Sequence, residues 1–133
     1  CKNMLEYEAA LKRQIRALRP DAIVLAGFMR LLSAEFLNSV QIPVFNIHPA
    51  LLPQYGGKGM FGMNVHTAVF EAGEKTSGAT IHLVNSEYDR GQILAQKEID
   101  ISDCRNPQEI AARVLKIEHV LYAPTIVKYL HER

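Results

Sequence analysis

Two hydrophobic periods alternate along this chain, and the switches between them predict an ordered series of helices and strands. Met4, Leu11, Ile15 and Leu18 recur at helical spacing with Lys12, Arg13 and Arg16 between them, which predicts an amphipathic opening helix. Arg19-Pro20-Asp21 ends it. Ala22 to Ala26 is apolar throughout, as a parallel strand buried on both faces would be. Gly27 and residues 28–32 then read as a turn at the strand's carboxyl end. Ser33 is placed to cap a short helix running to about Ser39, and Pro43 to Ile47 is the next strand. Helix, strand, helix, strand implies a βαβ crossover and a parallel sheet.

Gln54 to Gly62 is turn-like, with four glycines around Lys58. Its spacing is not that of a P-loop, and it reads as a lid or spacer. Asn64 to Ala72 predicts a helix stopped by Gly73. Ala79 to Val84 and Gln92 to Ile99 predict two strands joined by the polar turn 85–91, a hairpin with a long loop. Asn106-Pro107-Gln108-Glu109 is a helix start, with an N-cap, a proline at the first position and a glutamate at the third. Ile110, Val114, Ile117 and Leu121 form the buried face of that last helix. Pro124 is expected to kink or interrupt it before Ile126, Val127 and Leu130.

Composition narrows the class without naming a function. A length of 133 residues suits one domain, and no repeat, low-complexity segment or linker divides it. A net charge of +1 gives no electrostatic case for nucleic acid or an anionic membrane. No apolar run approaches the roughly 20 residues that span a bilayer. Cys1 and Cys104 lack metal-ligand spacing, so no metal is expected, and a reducing cytoplasm is the default compartment.

Chemistry concentrates in Phe45-Asn46-Ile47-His48-Pro49-Ala50-Leu51-Leu52-Pro53. Asn46 and His48 lie two apart in a strand, so they leave one face while Ile47 points into packing. Pro49 keeps His48 out of helix, and Pro53 keeps the next segment extended or turned. The pair therefore stands at a strand's carboxyl end, where open α/β sheets bind ligands. An asparagine can donate to a developing oxyanion, and a histidine can move a proton near neutral pH. Equally, the two read as a loop asparagine and a surface histidine. Asp89, in the hairpin loop, would favour a protonated imidazole and fix its tautomer, or would simply serve an Asx turn. Such a set suits acyl transfer to an amine. No serine or cysteine adjoins a base, so direct transfer is favoured over a covalent acyl-enzyme.

Leu25-Ala26-Gly27-Phe28-Met29-Arg30-Leu31-Leu32, Asn46 to Pro53, and Gly78-Ala79-Thr80-Ile81-His82 running into Asp89-Arg90-Gly91 resemble the phosphoribosylglycinamide formyltransferases of the folate-dependent formyltransferase superfamily. The resemblance covers nearly the whole chain. It implies a Rossmann-like α/β fold: a central, mostly parallel sheet, an antiparallel hairpin and a long C-terminal helix. The implied reaction moves a formyl group from 10-formyltetrahydrofolate to the amine of glycinamide ribonucleotide in purine synthesis. The resemblance makes His48 the acid/base, Asn46 the amide that orients the formyl oxygen, and Asp89 the carboxylate that raises the histidine's pKa. It gives folate contacts to Leu25, Phe28, Met29, Arg30, Leu31, Leu32 and Asn46, and to the loop Asn85, Ser86, Glu87, Tyr88 and Asp89. It gives ribonucleotide contacts to Gly27, Pro49 and Glu118.

Three departures accompany the resemblance. Gly56 to Asn64 is longer than the family pattern, and Met4 falls where relatives often carry an arginine. The family's amino-terminal glycine-rich strand–helix turn, which holds the substrate phosphate, has no counterpart here. Residues 1–133 are thus expected to be an amino-terminally truncated catalytic domain whose sheet exposes an apolar edge. Hydrolysis of 10-formyltetrahydrofolate and a non-catalytic folate-binding remnant are the alternative readings. Transfer to methionyl-tRNA is disfavoured by the lack of a basic run or second domain. A homo-oligomer is left open. His82 reads either as a site residue or as a satisfied core histidine, and His66 as a surface histidine on its helix. His119 and His131 carry no signal.

Overall fold

The structure is a computed structural model that describes residues 4–25, 32–85 and 91–132. Its elements, in chain order, are α1 (Met4–Leu18), β1 (Ile23–Leu25), α2 (Ala34–Val40), β2 (Val44–His48), α3 (Met63–Glu71), β3 (Thr76–Leu83), β4 (Ile93–Asp100) and α4 (Pro107–His131). Local chemistry sets several of these boundaries. Ser33 Oγ accepts from the Phe36 N–H and starts α2. Asn106 Oδ1 accepts from the Glu109 N–H at 2.9 Å, with Pro107 in the first turn of α4. Gly73, at φ 72°, follows the end of α3 in the left-handed region that glycine enters without strain.

The four strands form one sheet in the order β1-β2-β3-β4. β1 pairs parallel to β2, whereas β2–β3 and β3–β4 are antiparallel. The sheet is therefore mixed among the described strands, not mostly parallel. The hairpin expectation holds, but β3 also turns its other edge to β2 and so reverses direction there. β3 starts at Thr76, three residues before the apolar run that predicts it.

Two apolar clusters cover the sheet. Ile47, Ala79 and Ile81 pack with Val65 and Val69 of α3 and with Ile110, Val114 and Ile117 of α4. Leu32, Phe36 and Val44 form the second cluster, joined by Leu11 and Ile15 of α1 and by Ile23 and Leu25 of β1. Val44 and Ile47 differ in parity along β2, so the clusters lie on opposite faces of the sheet. Burying a side chain such as Val114, fully enclosed, is worth about 2 kcal/mol. Glu8 joins α1 to α2: its carboxylate accepts from both the N–H and the hydroxyl of Ser33, each at 2.7 Å.

Three expectations change. β1 is not buried on both faces: its described part is a three-residue strand at one end of the described sheet, and the Val24 side chain is 49% exposed on one face. Residues 26–31, including the expected turn, lie outside the described residues. Leu18 does not join the buried face of α1, because the helix ends at that residue and its side chain projects into solvent. Pro124 does not interrupt α4, which continues to His131. The carbonyl that loses its partner there belongs to Val120, on an exposed stretch where water can serve it.

Gly78, paired with Glu98, is required by close approach: a Cβ there would overlap the Lys97 carbonyl and press on Leu51 Cδ2. Gly78→Ala is expected to lower unfolding free energy by about 3 kcal/mol, measured by urea denaturation.

Candidate active site

β2 ends at His48, and its burial follows from its place in the sheet, with β1 on one side and β3 on the other. The β2–β3 register sets Asn46 opposite His82 and His48 opposite Thr80. Asn46 and His48 therefore share a face, as their spacing requires, and Ile47 lies in the core. His48 is buried, so the surface-histidine reading fails. Its Nε2 donates to the Tyr55 carbonyl at 2.6 Å, which requires a proton on that nitrogen.

His82 is the partner of Asn46. It is buried, and its Nδ1 donates to the Leu83 carbonyl at 3.1 Å, leaving Nε2 to accept from Asn46 Nδ2 at 3.4 Å. The tautomer that satisfies one bond satisfies the other. His82 is thus both a satisfied core histidine and a neighbour of the site.

A second network holds the segment after His48. Thr80, with no exposed surface, donates through Oγ1 to the Ala50 carbonyl and accepts from the Leu52 N–H. Gln96 Nε2 donates to both Thr80 Oγ1 and the Leu52 carbonyl, at 3.0 and 2.7 Å. The hydroxyl's one proton and two lone pairs are all engaged, which is what a buried hydroxyl needs. Sequence reasoning gave no role to Thr80 or Gln96. Their signal was slight, because both strands carry other polar residues, Ser77 and His82 in one and Lys97 and Glu98 in the other.

Glu118 is half-buried on α4, and burial pushes its carboxyl above the ordinary range, while His119 pulls it down. One turn on, Tyr122 donates its hydroxyl to the Leu25 carbonyl at 2.5 Å, with the Phe45 carbonyl at 3.1 Å. Burial also raises the Tyr122 phenol, so it stays a donor. Leu25 is half-buried opposite Asn46, and Pro49 and Asn85 are half-buried as well. Leu32 is 2% exposed and its side chain belongs to the second cluster. Gly27, Phe28, Met29, Arg30, Leu31, Ser86, Glu87, Tyr88 and Asp89 lie outside the described residues.

His66 corrects the surface reading. It is 5% exposed, because it shares the i, i+3, i+4 stripe of Val65 and Val69 that packs into the core. Its Nδ1 has no hydrogen-bond partner among the described residues. Burial lowers its pKa from 6.5, and the neighbouring His48 lowers it further. The unfolded chain then binds more protons than the folded one below pH 6.5, so His66 withdraws stability as pH falls through that value. His66→Gln is expected to flatten this fall, read by urea denaturation at pH 7.5 and 5.5.

Residues 1–126 match the family described as formyl transferase. A chloroplastic phosphoribosylglycinamide formyltransferase of Arabidopsis thaliana is 44% identical over 119 residues, covering 90% of this chain and 41% of the relative. The Escherichia coli phosphoribosylglycinamide formyltransferase is 34% identical, covering 92% of this chain and 55% of that protein. Among solved structures, the phosphoribosylglycinamide formyltransferase of Bacillus halodurans superposes with a TM-score of 0.87 at 31% identity, over 98% of this chain and 64% of that one. That of Brucella melitensis gives 0.83 at 39% identity, over 97% and 64%. The chain thus spans about two-fifths of the Arabidopsis relative's length and under two-thirds of the two solved chains. By the extent of the family match, and by a fold shared with these enzymes, this chain belongs to the formyl transferase family.

Proposed function

We propose that this chain serves transfer of a formyl group from 10-formyltetrahydrofolate to the amine of glycinamide ribonucleotide, in de novo purine biosynthesis. The observation that carries the reading is the Asn46–His48 pair on one face at the end of β2, braced by His82 and by the Tyr55 carbonyl, in a chain of this family. The amine nitrogen attacks the formyl carbon directly, giving a tetrahedral intermediate. Asn46 donates to the oxygen where charge develops. His48 takes the proton that the amine gives up and returns it to the folate nitrogen as the carbon–nitrogen bond to folate breaks. Asp89 favours the protonated imidazole.

In the same reading, Leu25, Phe28, Met29, Arg30, Leu31 and Leu32 line the folate side with the loop Asn85 to Asp89. Leu32, its side chain committed to the core, contributes through its main chain. Gly27, Pro49 and Glu118 meet the ribonucleotide. A carboxylate suits an amine-bearing substrate, and a partly desolvated one gains more from the pairing. Among the described residues no group of three or more His, Cys, Asp or Glu is gathered as a metal site, and the reading routes no step through one. No described helix is long and apolar enough to cross a membrane. The compartment in this reading is the cytoplasm, although the plant relatives are named as chloroplastic.

His48→Ala, made in the natural protein that carries these residues, is expected to lower kcat by about 10²- to 10⁴-fold. The Kd for a folate analogue should move less than about threefold, since an acid/base acts on the transition state. Equal losses in both would make His48 a binding residue. Product analysis with and without the ribonucleotide separates transfer from hydrolysis.

A further inference from the structure

α4 packs on the sheet mainly through aliphatic side chains: Ile110, Val114, Ile117 and Leu121 in the first cluster, with Tyr129 edge-on to Phe45 at 5.3 Å. Such contacts set how close the helix lies to the sheet, and Arg113, in its first third, adds a directional tie by donating to the Asp100 carbonyl at 3.0 Å. Tyr122 adds a second. Its single hydroxyl proton reaches the Leu25 carbonyl, and the Phe45 carbonyl stands within bonding distance of the same oxygen. Leu25 is the register partner of Asn46, and Phe45 is the residue before it. The hydroxyl therefore sits on the seam where β1 and β2 run side by side toward Asn46 and His48.

Glu118 lies four residues before Tyr122, on the same face and about 6 Å along the axis. The two side chains feel each other: the carboxylate raises the Tyr122 phenol. Any slip or rotation of α4 at Tyr122 passes to Glu118 within one turn. We infer that Tyr122 is a positioning residue, which fixes the distance of Glu118 from Asn46 and His48 by tying α4 to the β1–β2 seam. This rests on the reading of Glu118 as the ribonucleotide's ligand and assigns Tyr122 no contact with substrate.

The test is a double-mutant cycle in the natural protein that carries these residues. Tyr122→Phe keeps the ring in the core and removes only the donor. Its KM for glycinamide ribonucleotide should rise about tenfold, or about 1.4 kcal/mol, while the Kd for a folate analogue stays within about twofold. With Glu118→Gln already present, Tyr122→Phe should raise KM less than about twofold further, because no carboxylate remains to be aimed. p-Aminophenylalanine at position 122 restores an N–H donor and should bring KM back to within about threefold of the parent. A tenfold effect in both backgrounds, or none in either, overturns the positioning role while leaving Glu118 as a ligand. A silent Glu118→Gln overturns it differently, by removing the ligand reading on which it rests. Equal loss of folate and ribonucleotide affinity in Tyr122→Phe marks a general structural role and also overturns it.

Discussion

The antiparallel pairing of β2 with β3 is the constraint on which the candidate site depends. It places His82 opposite Asn46 and Thr80 opposite His48, so each polar residue on β2 is matched by a polar residue on β3. Side chains alternate with a period of two, so a one-residue slip would set Asn46 and His48 against apolar partners and leave buried polar groups unpaired. The pairing extends outward to Gln96 on β4, which shares Thr80 and reaches the Leu52 carbonyl. Three strands thus fix both the Asn46–His48 pair and the segment that follows it.

Burial raises what is at stake in these contacts. A hydrogen bond nets only about 1 kcal/mol when formed, but a buried donor or acceptor left without one costs more. Thr80 meets that demand fully, with one proton given and two bonds accepted. His66 does not, since its Nδ1 is unpartnered among the described residues, beside His48. The molecule therefore keeps two imidazoles near one another in a partly desolvated region, where a charge on His48 disfavours one on His66.

The helices meet the site from opposite faces. α1 and α2 are joined by the Glu8 carboxylate at Ser33, just after the segment read as folate-contacting. α4 is joined to Leu25 of β1 and Phe45 of β2 by Tyr122. Neither link resembles a catalytic motif, and each is a polar group spanning elements far apart in the chain. Such links position a site by geometry that local chemistry does not encode.

The sequence by itself determined the local features: the Ser33 and Asn106 caps, the Gly73 stop, the hairpin, the α4 stripe, and the shared face of Asn46 and His48. Each rests on chemistry within a few residues, where spacing and φ preference decide. Motif resemblance carried the family reading, which the family match then bore out. Only the tertiary structure decided that β3 runs antiparallel to β2, that Val24 of β1 is exposed on one face, that His66 is buried and that Pro124 leaves α4 continuous. It also decided that His82, Thr80 and Gln96 brace the site and that Tyr122 reaches Leu25 across 97 residues. The physical reason is the same in each case: strand order, exposure and hydrogen-bond partners are set by which distant elements pack together, and a period of 2.0 or 3.6 says which face of an element is buried but not against what.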